Sequence, residues 1–165
     1  MPTAKSNPAL EGLAPIVGDW STVGHHPMLP GKTLRGHASF EWFEDGAFLV
    51  MRTSMDEPAI PAGIAIIGSD DTKGTFTMLY FDERGVSRNY DVSIDATGFS
   101  WSRMSADFSQ RFTVRFSNDG QTMHGTGEMS RDGGAWEPDL QLDYSRETNR
   151  SSANTGDISP ASDRR

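Results

Sequence analysis

The sequence predicts an all-β fold, an antiparallel up-and-down β-barrel of about ten strands preceded by a short helix. Apolar and polar residues alternate with period two through most of the chain, as in Phe112-Thr113-Val114-Arg115-Phe116, which is typical of strands with one buried face. Turn signals such as Asn118-Asp119-Gly120 separate these runs, because Gly, Asn and Asp tolerate the backbone of tight hairpins. No helical run of crossover length lies between the strands, so we expect a meander that closes on itself.

The short helix is predicted at the N-terminus, within a segment spanning residues 1–17. Asn7 is a typical N-cap residue, Pro8 suits the first helical position, and Pro15 limits the helix to about two turns. This length predicts a plug or lid for the barrel rather than a member of a helical bundle. Its apolar stripe consists of Leu10, Leu13, Ile16 and Val17.

The barrel itself is predicted to span residues 18–146, and a sandwich of two sheets is the structural alternative. After Arg146 the chain is rich in Ser, Asn, Asp and Arg, so residues 147–165 are expected to form a disordered tail. The ten strands are predicted at roughly residues 18–26, 32–42, 47–54, 62–68, 75–81, 87–94, 98–104, 109–117, 122–130 and 135–146.

Composition excludes several classes of function. A chain of 165 residues suits one domain, and its net charge of −8 at pH 7 would repel a polyanion, so nucleic acid is not an expected partner. No segment approaches the length of apolar chain that spans a membrane, and the first residues lack the apolar core of a signal peptide. With no cysteine in the chain, these features favour a cytoplasmic protein without thiolate metal sites.

Two short motifs mark the ends of the predicted barrel. Gly18-Asp19-Trp20 opens the first strand and Tyr144-Ser145-Arg146 ends the last. The pair resembles the calycin signature, in which an Arg from the final strand covers a Trp near the start of the barrel. A flat indole closes the narrow end and a guanidinium stacks on its face. The resemblance therefore assigns Trp20 and Arg146 to barrel closure.

Several internal stretches are similar to one bacterial family, known as DUF1579-like or lipocalin-like and related to the nitrobindins. The resemblance covers roughly residues 10–146 and implies a calycin-like barrel, but the family has no settled activity. The stretches that carry it are Gly36-His37-Ala38-Ser39-Phe40-Glu41-Trp42, Gly46-Ala47-Phe48-Leu49-Val50, Tyr80-Phe81-Asp82, Phe108-Ser109-Gln110-Arg111-Phe112 and Asp132-Gly133-Gly134-Ala135-Trp136-Glu137.

One departure from the nitrobindin pattern bears on cofactors. Nitrobindins hold haem through a His on the last strand, whereas the last strand here contains none, and Thr22 stands where their glycine-rich opening has a Gly. The resemblance thus disfavours a haem protein, which remains a third hypothesis, and we expect no cofactor. His25 and His26 are adjacent, so in a strand they point to opposite faces and cannot jointly bind a metal.

The predicted lumen supplies the candidate binding residues, since a ten-stranded barrel can enclose more volume than its side chains fill. Aromatic residues follow the apolar faces of the strands, and three arginines interrupt those faces. An unpaired cation inside a barrel is costly, so each Arg should meet a carboxylate, a ligand anion or water. Core packing for the aromatics and strand-end positions for the arginines are the alternatives. The candidates are Trp42, Tyr80, Tyr90, Trp101, Arg52, Arg88, Arg103, Gln110 and His26, and the same faces place Phe48, Val50, Phe76, Met78 and Phe112 inside.

These residues favour a binding protein for a small hydrophobic or amphipathic molecule with an acidic headgroup. A cofactor-independent enzyme of the isomerase or cyclase type, using a lumenal Tyr, His or Arg, is the alternative. No nucleophile elbow, phosphate-binding loop or dinucleotide fingerprint occurs in the chain. A second copy of the chain is a further expected partner.

Overall fold

Ten antiparallel strands close into a barrel in the computed structural model, which describes residues 6–148. Each strand pairs with the next along the chain, and the first pairs with the last. This confirms the predicted all-β barrel and excludes the open two-sheet sandwich. The strands are β1 (Gly18–His25), β2 (Leu34–Phe43), β3 (Phe48–Met55), β4 (Gly63–Asp70), β5 (Thr75–Asp82), β6 (Ser87–Asp95), β7 (Gly98–Arg103), β8 (Phe108–Phe116), β9 (Thr122–Arg131) and β10 (Glu137–Arg146).

The predicted short helix is a 3₁₀ helix over Pro8–Ile16. The Asn7 side chain caps it by accepting a hydrogen bond from the Ala9 N–H at 3.0 Å. Leu10, Leu13 and Ile16 are fully buried, and their spacing of three residues matches the three residues per turn of a 3₁₀ helix. The helix packs against β4 and β6, so its apolar side becomes part of the barrel core.

One end of the barrel is closed around Trp20, which is fully buried. Its indole N–H donates to the Ile16 carbonyl at 2.8 Å, and the Arg146 guanidinium lies over the ring, 4.2 Å from the ring centre. Arg146 also donates to the carbonyls of Pro15, Val17 and Gly120, at 2.6, 2.8 and 3.1 Å. This side chain therefore ties the helix and the β8–β9 turn to the end of the barrel, which we term the closed end.

The face assigned to β3 was wrong. Leu49 and Met51 are the buried inner residues, whereas Phe48 and Arg52 are exposed on the outer face, with Val50 packed between them. Residues Phe48 to Met51 are all apolar, so the alternation from which a face can be assigned is missing. A one-residue error then moves every side chain of the strand to the opposite face.

An apolar patch on the outer surface explains why β3 carries no alternation. Phe43 and Phe48 face each other across β2 and β3, and Leu79 and Phe81 lie on the outer face of β5. The outer face of β6, by contrast, is polar throughout, with Asp91 at its centre. Exposed apolar patches of this kind are typical of association surfaces. The expected second copy of the chain remains a prediction.

The division of the chain into an N-terminal segment, a barrel and a tail remains a prediction, although the ten strands lie within the range predicted for the barrel. Glu147 continues the ladder by one residue, since its N–H donates to the Asp19 carbonyl at 2.9 Å. The predicted tail beyond Thr148 and the first five residues lie outside the described part of the chain. Within residues 6–148 no helix has the length and apolar character needed to cross a bilayer.

Candidate functional site

A cavity of about 600 Å³ occupies the barrel on the side away from Trp20 and opens at the opposite end, the mouth. Its wall is mainly apolar, and Trp101 and Phe112 form a stacked pair with their ring centres 4.7 Å apart. Segments from the β1–β2 and β3–β4 connections border the mouth. The apolar wall includes Met51, Met55, Met78, Trp101, Phe112, Met129, Leu140 and Leu142.

Polar side chains meet on one side of the mouth and form a continuous hydrogen-bonded group, the mouth network. Gln110 is its centre: its Oε1 accepts from Arg88 Nη1 at 3.0 Å and from the Tyr90 hydroxyl at 3.3 Å. The Nε2 of Gln110 donates to Asp139 at 3.4 Å, and His26 Nε2 lies 2.9 Å from the same carboxylate. Five side chains from β6, β8, β10 and the end of β1 are thereby fixed at the entrance.

The hydrogen bonds of His26 define its chemical form. Its Nδ1 accepts a hydrogen bond from the Met28 N–H at 3.1 Å, so the proton resides on Nε2 and is donated to Asp139. Both ring nitrogens are thus engaged, and the imidazole is neutral in this arrangement. His26 is the one histidine among the described residues that lines the cavity, so the site lacks a free imidazole for a general base or for haem iron.

The donor set therefore does not fit haem. His25, His37 and His124 belong to the outer faces of β1, β2 and β9, away from the cavity. Over residues 6–148 no group of three or more His, Asp or Glu side chains is arranged to hold a metal ion.

Asp139 enters the cavity because β10 is irregular. The ladder between β9 and β10 shifts register between Pro138 and Gln141. This β-bulge lets two successive residues, Asp139 and Leu140, line the cavity, where regular alternation would turn one of them outward. Proline inside a strand often marks such an irregularity, so Pro138 was the one sequence signal that Asp139 could line the cavity.

Arginines outnumber carboxylates around the cavity. Arg84 is paired with Asp82, and Arg111 with Glu128 at 2.6 Å. Arg88 has no carboxylate within 4.0 Å among residues 6–148, and its Nη1 bonds only the neutral amide of Gln110. Asp139 is the single acidic residue in the described cavity wall, where Arg131 also stands. The described cavity wall therefore carries more arginines than carboxylates, in a chain of net charge −8.

Asp82 and Tyr80 form a second polar cluster at the end of β5. Arg84 binds Asp82 through Nε at 3.1 Å and Nη2 at 2.7 Å, and the Tyr80 hydroxyl donates to the same carboxylate at 3.0 Å. The Arg84 hydrogen bonds lower the pKa of Asp82 to about 2. Burial, and then the neighbouring carboxylate, raise the pKa of Tyr80, so the phenol stays protonated and cannot serve as a base near neutral pH.

We predict that Asp82→Asn lowers the free energy of unfolding by about 2 kcal/mol at pH 7, because a buried carboxylate bonded by Arg84 and Tyr80 is lost. The folded-state pKa is depressed from 3.8 to about 2. The stabilisation is therefore complete above pH 4 and disappears as the pH falls toward 2. Urea unfolding at pH 7 and pH 3 measures this, with Asp91→Asn on the outer face as control. A wild type–D82N difference that is absent at pH 7, or equal at both pH values, would contradict the assignment.

The structure brings together six of the nine sequence-predicted binding residues. Three lie elsewhere: Arg52 pairs with Glu41 on the outer face, with 52% of its side chain exposed, and Trp42 is at the closed end of β2. Arg103 is the last residue of β7, partly exposed and outside the cavity wall. The six that line the cavity are His26, Tyr80, Arg88, Tyr90, Trp101 and Gln110, and those that sequence reasoning missed are Arg84, Arg111, Arg131, Asp139 and Tyr144.

Comparison with known proteins identifies the fold and no family. No family model and no curated protein matches the chain. Rv2717c from M. tuberculosis is similar in structure, with a TM-score of 0.63 and 14% identity over 87% of this chain and 100% of that one. The S-type phycobiliprotein lyase CPES from Guillardia theta has a TM-score of 0.52 and 10% identity over 82% of this chain and 90% of that one. Both similarities concern the fold alone and agree with the expected β-barrel.

Proposed function

We propose that this protein binds an amphipathic carboxylate, with the carboxylate at Arg88 and the apolar part in the lumen. The observation that carries the proposal is Arg88 itself. It lines the cavity, is partly buried, and has no carboxylate partner among the described residues.

The energetics favour an anion at this position. A partly buried guanidinium that bonds only a neutral amide retains several unused N–H donors, and a carboxylate matches their geometry. The mouth network also orients Arg88, because Gln110, which accepts a hydrogen bond from the Tyr90 hydroxyl, binds the guanidinium from one side. A chain of net charge −8 repels an anion over most of its surface, and Arg88 offers it a cation without a carboxylate partner among the described residues.

The lumen suits the apolar part of such a ligand. Binding cavities for small molecules measure about 300–1,000 Å³, and the 600 Å³ here falls in that range. Methionines supply much of the wall, and their flexible side chains adapt to ligands of different shape. An S-type phycobiliprotein lyase has a similar structure, which supports the proposal at the level of fold alone.

A displacement titration tests the proposal. The fluorescent anion 1-anilinonaphthalene-8-sulfonate is bound first and then competed with dodecanoate or with dodecanol, which differ only in the headgroup. We expect dodecanoate to bind about tenfold more tightly near neutral pH, because a charge-assisted hydrogen bond contributes about 1.5–3 kcal/mol. Equal affinities, tighter binding of the alcohol, or no binding of either would contradict it.

A further inference from the structure

Tyr144 carries a polar group that the proposed carboxylate site does not use. Its side chain lines the cavity and is only 3% exposed. Its hydroxyl forms no hydrogen bond with any described residue, unlike the hydroxyls of Tyr80 and Tyr90. Burial raises the pKa of Tyr144, so the phenol is protonated and can donate.

Thr22, the strand partner of Tyr144, carries a second hydroxyl without a partner. Thr22 and Tyr144 are directly paired across β1 and β10. Thr22 is 2% exposed, and its Oγ1 is the one fully buried side-chain polar atom without a partner in residues 6–148. A buried polar group left unpaired costs about 1–3 kcal/mol. The unpaired Thr22 hydroxyl and the Tyr144 hydroxyl, which lines the cavity without a hydrogen bond to any described residue, are therefore difficult to explain by packing alone.

The position of Tyr144 sets its distance from the mouth. Asp139, at the mouth, and Tyr144 lie five residues apart on β10 with the β-bulge between them, so their backbone positions are at most about 16 Å apart along the strand. Between these levels the wall is apolar and includes Leu142, Trp101 and Phe112. The lumen thus has a charged entrance, an apolar middle and an isolated phenol deep inside.

We infer that the ligand carries a second polar oxygen at the end distant from its carboxylate, and that this oxygen accepts a hydrogen bond from Tyr144. The inference rests on the proposed function, because it extends the same ligand beyond its headgroup. The expected ligand class is thus an amphiphile that carries oxygen at the end distant from its carboxylate, and not a plain fatty acid. A site built with a hydrogen-bond donor discriminates against an analogue that leaves the donor unpaired.

The test compares 12-hydroxydodecanoate with dodecanoate by displacement of 1-anilinonaphthalene-8-sulfonate. In the wild type we expect the hydroxy acid to bind at least as tightly, although its hydroxyl must leave water. In Tyr144→Phe the ratio of the two dissociation constants should move at least fivefold against the hydroxy acid. In Tyr80→Phe, which removes a phenol already bonded to Asp82, the ratio should stay unchanged. An unchanged ratio in Y144F, or the same change in Y80F, would overturn the inference.

A neutral ligand pair separates this inference from the headgroup proposal. Dodecanol and 1,12-dodecanediol have no carboxylate, so their affinity ratio reports on Tyr144 alone. A diol preference that Tyr144→Phe removes, in a protein that does not favour dodecanoate over dodecanol, would refute the carboxylate site and retain the phenol site. If neither pair binds, both are overturned.

Discussion

Replacing Arg88 with glutamine is expected to lower the affinity for dodecanoate by at least tenfold and to leave the affinity for dodecanol nearly unchanged. The cation that meets the carboxylate is lost, while the apolar lumen is retained. Isothermal titration of both ligands measures the effect. Arg88 is partly exposed and its guanidinium bonds a neutral amide, so we expect R88Q to fold as the wild type does.

Arg52→Gln is the matched control, because it removes the same charge from the outer face of β3. It should leave both affinities within a factor of two. Equal losses of dodecanoate affinity in R88Q and R52Q would show that net charge, and not contact at the mouth, governs binding. A loss of dodecanol affinity in R88Q would show a general change of the lumen.

The second large effect is expected at the closed end. Arg146→Met should lower the free energy of unfolding by about 3 kcal/mol, because the guanidinium bonds three carbonyls and covers Trp20. Methionine preserves much of the apolar contact, so the loss reports on the hydrogen bonds and the charge. Urea unfolding followed by tryptophan fluorescence measures it.

Arg146→Lys provides the comparison, since lysine keeps the charge and lacks the planar fork of donors. It should recover less than half of the lost stability. Recovery of the full wild-type stability by lysine would show that charge alone matters. A methionine variant as stable as the wild type would remove Arg146 from the account of barrel closure.

The barrel could be predicted because its signals are local. Alternation, hairpin turns and the Asn7 cap each depend on residues close in sequence, and they gave ten strands and one short helix in the observed order. The faces of β6 and β8 followed in the same way, which placed Arg88 and Gln110 in the cavity. Alternation fails for a strand that is apolar on both sides, and β3 was misassigned for that reason, with Arg52 as the visible error.

The mouth network could not be predicted from the sequence, because it depends on features that no local sequence pattern encodes. Asp139 reaches the cavity through a β-bulge, and its partners His26 and Gln110 come from strands far apart in sequence. Which Arg finds a carboxylate also depends on strand pairing: Arg111 meets Glu128 across β8 and β9, and Arg88 meets none among the described residues. The sequence showed that cations interrupt apolar faces, but not which of them would be available to a ligand.

The most direct measurement is carbon-13 NMR of dodecanoate labelled at its carboxyl carbon, bound to the protein and titrated with acid. A carboxylate beside Arg88 should titrate about 1–3 pH units below the free acid, because a neighbouring cation favours the charged form. In Arg88→Gln this depression should disappear. A bound carboxyl that titrates at or above the value of the free acid, or equally in the wild type and R88Q, would contradict a ligand carboxylate held by Arg88.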